Sequence, residues 1–475
     1  MTAEELKEHA LAKAQEFGAE TDANESRFNT VKRVNINKKD AGKGKEKNDK
    51  DVPFFAFINP DQPASGTYSD ISFVVFPGKD SSLFLVTLTV GSLGYAADYE
   101  LATLPYLRRM FMPLLSDDEN SLCKTSFIDI ESCLISDFVK EHPEFPKLKE
   151  KYGKVILAAR LLDSENPKDI KTLDAWLARY ADVRGWATNE TFRKNFQNAL
   201  KDFNPEKKTD VLTEVKDLIT KHQYVVLQGA PGTGKTYTAV NRIAKEYKHV
   251  FIEQFHAETT YSDFVYGLTP DLSSAANGVK FVEKKGILLQ AIERAIEDKN
   301  ERVLLIIDEI NRANLSNVLG EVFFLFEKNV KRTIPINVGG IKLTKLPDNL
   351  YVIATMNTAD RSLAVVDFAL RRRFAWYTLR PQKLNKKDLN EGEQFFDNYF
   401  TEFDNIFAKY ATDDELNLQP GHSYFIAENE ADMRDKIIYG LMPLIKEYLN
   451  QGYLVKARDA FANLFQRLVQ KQLFE

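Results

Sequence analysis

The stretch Gly229-Ala230-Pro231-Gly232-Thr233-Gly234-Lys235-Thr236 constrains this chain more than any other. It is a complete G-x-x-x-x-G-K-[ST] loop. Tyr224-Val225-Val226-Leu227 ahead of it reads as a buried strand, and Tyr237 to Tyr247 after it reads as a helix. Glycines there let backbone N–H groups curl around phosphates, while the helix N-terminus adds the positive end of its dipole. The loop residues Gly229, Pro231, Gly232, Thr233, Gly234, Lys235 and Thr236 are therefore expected to bind a nucleotide. Lys235 is expected on the β- and γ-phosphates and Thr236 on Mg²⁺. A strand, loop and helix of this kind belong to the edge of an open α/β sheet, which sets the fold class of this region.

The rest of the chain is that of a multi-domain protein. Its 475 residues allow two to four domains, and a hydrophobic content of 44% suffices for packed cores. A net charge of -5 argues against a globally basic nucleic-acid coat, although a local basic patch is compatible with it. Cys123 and Cys133 show no C-x-x-C spacing and no accompanying His cluster, as expected of buried thiols in a reduced compartment. The N-terminal residues lack a basic segment followed by an apolar one, and nowhere do about 18 apolar residues run together. The expected location is cytoplasmic, with no membrane contact.

The N-terminal part reads as an α+β domain. Leu6, Ala10, Leu11, Ala14 and Phe17 sit at helical spacing. Lys32 to Asp51 is Lys-rich with interspersed acids, a solvated loop or a nucleic-acid-contacting arm. Aromatic and β-branched runs from Phe54, Ile71 and Leu83, divided by Asn-Pro-Asp and Pro-Gly punctuation, predict an antiparallel meander. Aromatics exposed on such a meander could stack on a base, but their commoner use is as core. Leu101 to Leu115 and Phe127 to Leu200 read as helical, with Thr188 as a candidate cap. Asn204-Pro205-Glu206-Lys207-Lys208 is a polar break suited to a domain boundary.

Further chemistry lies downstream of the loop. An inserted hairpin is expected from Gly278 to Gly286, before a helix over Ile287 to Glu297. Val303-Leu304-Leu305-Ile306-Ile307-Asp308-Glu309 reads as a buried parallel strand ending in two carboxylates. Asp308 is placed to order Mg²⁺ and Glu309 to polarise an attacking water. A second strand, Leu350 to Thr355, leads to Asn357, an amide suited to sensing the γ-phosphate and the water. Arg371, Arg372 and Arg373 precede an aromatic strand. One of them could complete a neighbouring subunit's site in trans, while at least one is expected to form an ion pair within the chain.

Taken together, the loop Gly229 to Thr236, Ile307 to Ser316, Met356-Asn357-Thr358-Ala359-Asp360-Arg361-Ser362 continuing to Asp367, and Ala369 to Phe374 resemble the AAA+ motor of the McrB family. Members are the NTPase subunits of modification-dependent restriction systems. The resemblance spans about residues 210 to 475 and includes Gly421-His422-Ser423-Tyr424-Phe425 near the start of a lid. Nothing of the family's DNA-reading module is recognised in residues 1–200; with the N-terminal α+β domain over 1–203 as the expected DNA- or target-recognition part, the resemblance implies a large α/β subdomain over 204–380 and a small helical lid over 381–475. It also implies a homo-oligomeric ring, usually a hexamer, that hydrolyses GTP or ATP with Mg²⁺ and drives a McrC-like endonuclease on DNA. Arg434 is a candidate second sensor in the lid. The alternative reading is a MoxR-like ATPase that remodels a protein held by the N-terminal domain.

Overall fold

A computed structural model of the chain describes residues 1–19, 54–58, 69–78, 81–91, 104–115, 120–123, 148, 152–153, 155–203, 210–271, 280–327, 334–359 and 368–474. The Lys-rich stretch 32–51, residues 127–147 with Cys133, the boundary residues 204–208 and residues 360–367 of the run beginning at Met356 lie outside that set. The chain divides into two compact units, Met1–Lys207 and Lys208–Glu475.

In the first unit a helix, Ala3–Glu16, is capped reciprocally by Thr2 and Glu5, and it turns Leu6, Ala10 and Ala14 into the core. Strands β1 (Phe55–Phe57), β2 (Ser72–Pro77), β3 (Leu83–Thr89), β4 (Ser121–Cys123) and β5 (Ile156–Asp163) form one antiparallel sheet of order β1-β2-β3-β5-β4. The first three strands are the expected meander. The fifth corrects the helical reading of 127–200. Ile156, Leu157, Ala158, Ala159 and Leu162 are all buried, so no alternation marks the strand, and Ala and Leu intrinsically favour helix.

A helix, Pro167–Arg184, follows β5, with Asn166 as its cap, Pro167 in its first turn and a left-handed Gly185 at its end. It seats Trp176 and Tyr180 in the core, and the Tyr180 hydroxyl donates to the Phe57 carbonyl at 2.9 Å. The next helix, Glu190–Leu200, is capped by Asn189 and not Thr188: the Asn189 side chain accepts from the Phe192 N–H at 2.9 Å. Phe55, Phe57, Phe73, Phe76 and Phe84 are each no more than 1% exposed. These meander aromatics are core, and their rings are closed to base stacking.

The second unit is built on five parallel strands, β6 (Tyr224–Gly229), β7 (His249–Gln254), β10 (Val303–Asp308), β13 (Leu350–Asn357) and β14 (Ala375–Thr378). Two antiparallel hairpins stand apart from that sheet: β8 (Tyr266–Asp271) with β9 (Lys280–Lys285), and β11 (Ile336–Val338) with β12 (Ile341–Leu343). The first begins earlier than Gly278 because Gly267 and Pro270, poor strand residues, hide β8 in the sequence. The parallel order β14-β6-β13-β10-β7 sets the carboxyl ends of β6, β13 and β10 side by side, where open α/β sheets bind ligands. Helices cover both faces. Val303, Leu305 and Ile307 pack into one apolar layer and Leu304 and Ile306 into the other, so β10 is apolar without alternation.

The lid joins a short pair, β15 (Gln394–Phe395) with β16 (Ile426–Ala427), to helices Asp397–Tyr410, Glu430–Lys436, Met442–Asn450 and Arg458–Val469. Phe403 centres its core, 5.4 Å from the ring of Phe425 and 5.8 Å from that of Phe465. Edge and tilted ring contacts of this kind add to area burial. The C-terminal amphipathic helix spends Phe461, Leu464 and Phe465 on this core. Among the described residues no helix is long and apolar enough to cross a membrane.

Candidate active site

The phosphate loop turns between β6 and a helix that starts at Lys235 and continues through wider and tighter turns to Glu246. Gly232 and Gly234 have φ values of 78° and 77°, the left-handed region in which a Cβ is strained. Thr233, 2% exposed, braces the turn by donating its hydroxyl to the Ala230 carbonyl at 2.9 Å. The Pro231 carbonyl accepts from the Gly421 N–H of the lid at 2.9 Å. The Lys235 ammonium folds back onto the carbonyls of Gly229, at 2.9 Å, and Ala230, at 2.8 Å. Neutral carbonyls hold a cation less strongly than anionic oxygens do, so this ammonium is poised to exchange them for phosphate.

Across the sheet edge, Thr236 donates its hydroxyl to Asp308 Oδ1 at 2.8 Å. The Thr355 hydroxyl donates to the same oxygen. The hydroxyl and carboxylate oxygens form the kind of donor set that Mg²⁺ takes together with several waters. The residues present fit that ion. Thr236 and Asp308 would hold it, and the ion would offset the charge of phosphate oxygens.

Glu309 leaves the strand with φ 55° and ψ 48°, a left-handed conformation that costs a non-glycine residue about 1–3 kcal/mol. It is held from two sides. Its N–H donates to the Thr355 hydroxyl at 3.0 Å, and its carboxylate pairs with Arg312 at 2.7 Å. Strain maintained in this way persists only where the surroundings over-determine it, as the Thr355 and Arg312 contacts do here. Asn357 lies in register with Gly229 across β13 and β6, and its carbonyl accepts from Asn311 Nδ2 at 3.3 Å.

The three arginines separate in space. Arg373 has only 5% of its side chain exposed. It pairs with Glu327 at 3.1 Å, and its guanidinium lies 4.2 Å from the Phe323 ring centroid. Arg371 and Arg372 are exposed, the former 5.3 Å from the ring centroid of Trp376. Arg434 is also exposed, on the lid helix Glu430–Lys436. His422 of the lid stands against the loop: its Nε2 lies 3.3 Å from where a Cβ on Gly234 would be. Burial lowers its pKa to about 4, so the imidazole is neutral at pH 7.

Three residues of this region had no assigned role in the sequence. Thr355 holds both Asp308 and Glu309; its one signal is a polar residue directly after Val352-Ile353-Ala354 at the strand tip. Asn311, 5% exposed, supports Asn357 from the turn after β10. Thr358 donates its hydroxyl to the Asn417 carbonyl of the lid at 2.8 Å.

A phosphate loop and an acidic strand tip, with Asn357 at the tip of the strand between them, define a P-loop nucleoside triphosphatase. Residues 224–374 match the family described as AAA domain (dynein-related subfamily). The chain is 36% identical over 280 residues to the Type IV methyl-directed restriction enzyme EcoKMcrB subunit of Escherichia coli (strain K12), covering 53% of this chain and 59% of that protein. It is 27% identical over 219 residues to the Type II restriction enzyme BsuMI component YdiS of Bacillus subtilis (strain 168), covering 38% of this chain and 64% of that one. The chain thus spans about three-fifths of the length of these curated relatives. A candidate ATPase structure from Cytophaga hutchinsonii aligns over 37% of this chain and 47% of its own at 20% identity and a TM-score of 0.27, too partial to carry an argument. Over about half its length the chain is similar to the McrB subunit, and the AAA-domain match lies within the second unit.

Proposed function

We propose that this protein is the motor of a modification-dependent DNA restriction system: a homo-oligomeric ring, probed first as a hexamer, that hydrolyses GTP or ATP with Mg²⁺ and drives a McrC-like endonuclease. The observation that carries the catalytic part is the joint hold of Thr236 and Thr355 on Asp308, with the strained Glu309 next in the chain. In this reading the loop amides and Lys235 bind the phosphates, and Thr236 and Asp308 hold the Mg²⁺ that offsets their charge. Glu309 takes a proton from the attacking water, and Asn357 orients that water. Arg371 or Arg372, exposed where Arg373 is engaged, reaches a neighbouring subunit's nucleotide.

The restriction context is supported by the two relatives, both named as restriction enzyme components. No observation favours protein remodelling over it. The domain scheme assigns DNA or target selection to residues 1–203, the α/β motor to 204–380 and the lid to 381–475, and the working compartment is the cytoplasm. The test is GTP and ATP hydrolysis by the purified chain, with and without a neighbouring gene's product, on methylated and unmethylated duplexes. Turnover raised by the partner, with cleavage dependent on methylation, supports the proposal. Turnover indifferent to both sinks the restriction reading while leaving the NTPase intact.

A further inference from the structure

The lid is tied to the nucleotide loop through backbone atoms. Within the second unit, the Gly421 N–H donates to the Pro231 carbonyl at 2.9 Å, and the Ser423 N–H donates to the Gly232 carbonyl at 3.1 Å. The approach is so close that a Cβ on Gly421 would lie 1.9 Å from the Gly232 carbonyl carbon. No side chain fits there. Tyr424 covers the other side, with its ring carbons 3.1 Å and 3.2 Å from a Cβ placed on Gly232. Peptide groups bonded to peptide groups leave no rotamer slack, so a lid movement of more than a few tenths of an ångström must either drag the loop or break these bonds.

A second tie starts at the sensor strand. Thr358 follows Asn357 directly. Its N–H donates to the Gly229 carbonyl at 3.1 Å, and its hydroxyl donates to the Asn417 carbonyl of the lid at 2.8 Å. Ala359 next to it packs against the lid core. One residue thus touches the first loop glycine, the sensor amide by covalent continuity, and the lid segment leading to Gly421. A single hydrogen bond therefore links the residue after Asn357 to Asn417, and the Gly421 and Ser423 amides link the same lid segment back to the loop.

We infer that Thr358 is a positioning residue that couples the sensor strand to the lid, closing with Gly421 and Ser423 a latch over the phosphate loop. The coupling role rests on the reading of residues 229–236 as the nucleotide site; the latch itself does not. Thr358→Val removes the hydroxyl and keeps the shape, Thr358→Ser restores the donor, and Gly421→Ala blocks the close approach.

Amide hydrogen exchange on the full-length protein reads the latch directly. Without nucleotide, amides of 417–425 are expected to exchange about fivefold faster in Thr358→Val than in the parent, the factor for one neutral hydrogen bond of about 1 kcal/mol. Thr358→Ser should match the parent, and Gly421→Ala should exchange faster still. With a non-hydrolysable GTP or ATP analogue and Mg²⁺, the parent should slow exchange at both 229–236 and 417–425, whereas Thr358→Val should slow it at 229–236 alone. Its turnover should fall with nucleotide affinity kept within about threefold, a split that a general loss of stability does not produce. Lid exchange in Thr358→Val equal to the parent's in the absence and presence of nucleotide overturns the inference. A parent that shows no protection at 229–236 overturns the nucleotide reading instead, and the nucleotide-free comparison still decides the latch.

Discussion

Arg373 offers a test of how the structure sorts three adjacent cations. Replacing it with Ala removes a guanidinium 4.2 Å from the Phe323 centroid, an ion pair to Glu327 and the methylenes of a side chain that is 5% exposed. A desolvated cation–π contact contributes about 1–2 kcal/mol. Glu327 is 31% exposed, so the ion pair is screened and contributes at most about 1 kcal/mol. The two methylenes lost add about 1.5 kcal/mol. Arg373→Ala should therefore cost about 3–4 kcal/mol, which for a unit of this size lowers Tm by roughly 10 °C. Arg372→Ala, on an exposed side chain, should stay within about 0.5 kcal/mol of the parent, and Arg371→Ala, which loses an exposed contact with Trp376, within about 1 kcal/mol. At least one of these two should instead lower NTP turnover by about 10³-fold or more, the scale of a trans arginine. Calorimetry and a phosphate-release assay on the three variants decide the matter. An Arg373→Ala protein that melts with the parent but no longer hydrolyses nucleotide refutes the sorting.

Two further expectations follow from the same geometry. His422 is buried with its pKa lowered to about 4, so the unfolded chain binds its proton first as pH falls below about 6.5. Stability associated with this group is complete above pH 6.5 and is lost progressively toward pH 4, with about 1.4 kcal/mol gone by pH 5.5. Urea titrations at pH 7.5 and 5.5 should show that loss in the parent and its absence in His422→Leu; equal losses in both contradict the assignment. Lys235→Ala exchanges a phosphate-binding ammonium for a methyl group and should weaken nucleotide binding about 10–100-fold, at about 1.5–3 kcal/mol for a charged hydrogen bond. Fluorescent-nucleotide titration measures it, and unchanged affinity removes Lys235 from the site.

The NTPase half was legible where local chemistry and fold agree. The loop from Gly229 to Thr236, the strand ending at Asp308 and the strand ending at Asn357 are each continuous segments whose composition states their place in a parallel sheet. Arg373 was legible as one of three arginines, but its engagement with Phe323 and Glu327 depends on tertiary neighbours 46 and more positions away. Thr355 and Thr358 escaped notice because a single hydroxyl at a strand end looks like ordinary turn chemistry. Only the folded sheet brings the first to Asp308 and the second to Asn417. In the first unit β5 was hidden by burial on both faces, which erases the alternation that identifies strands.

In the proposed mechanism Glu309, held out of the β10 geometry beside Asp308, activates the water that attacks a bound nucleoside triphosphate. Single-turnover hydrolysis of GTP and of ATP by the parent and by Glu309→Gln, with nucleotide affinity measured in parallel, tests it most directly. The expected result is unchanged affinity and a loss of about 10²–10⁴-fold in the hydrolysis rate, the contribution of a general base. A Glu309→Gln protein that hydrolyses either nucleotide as fast as the parent contradicts it.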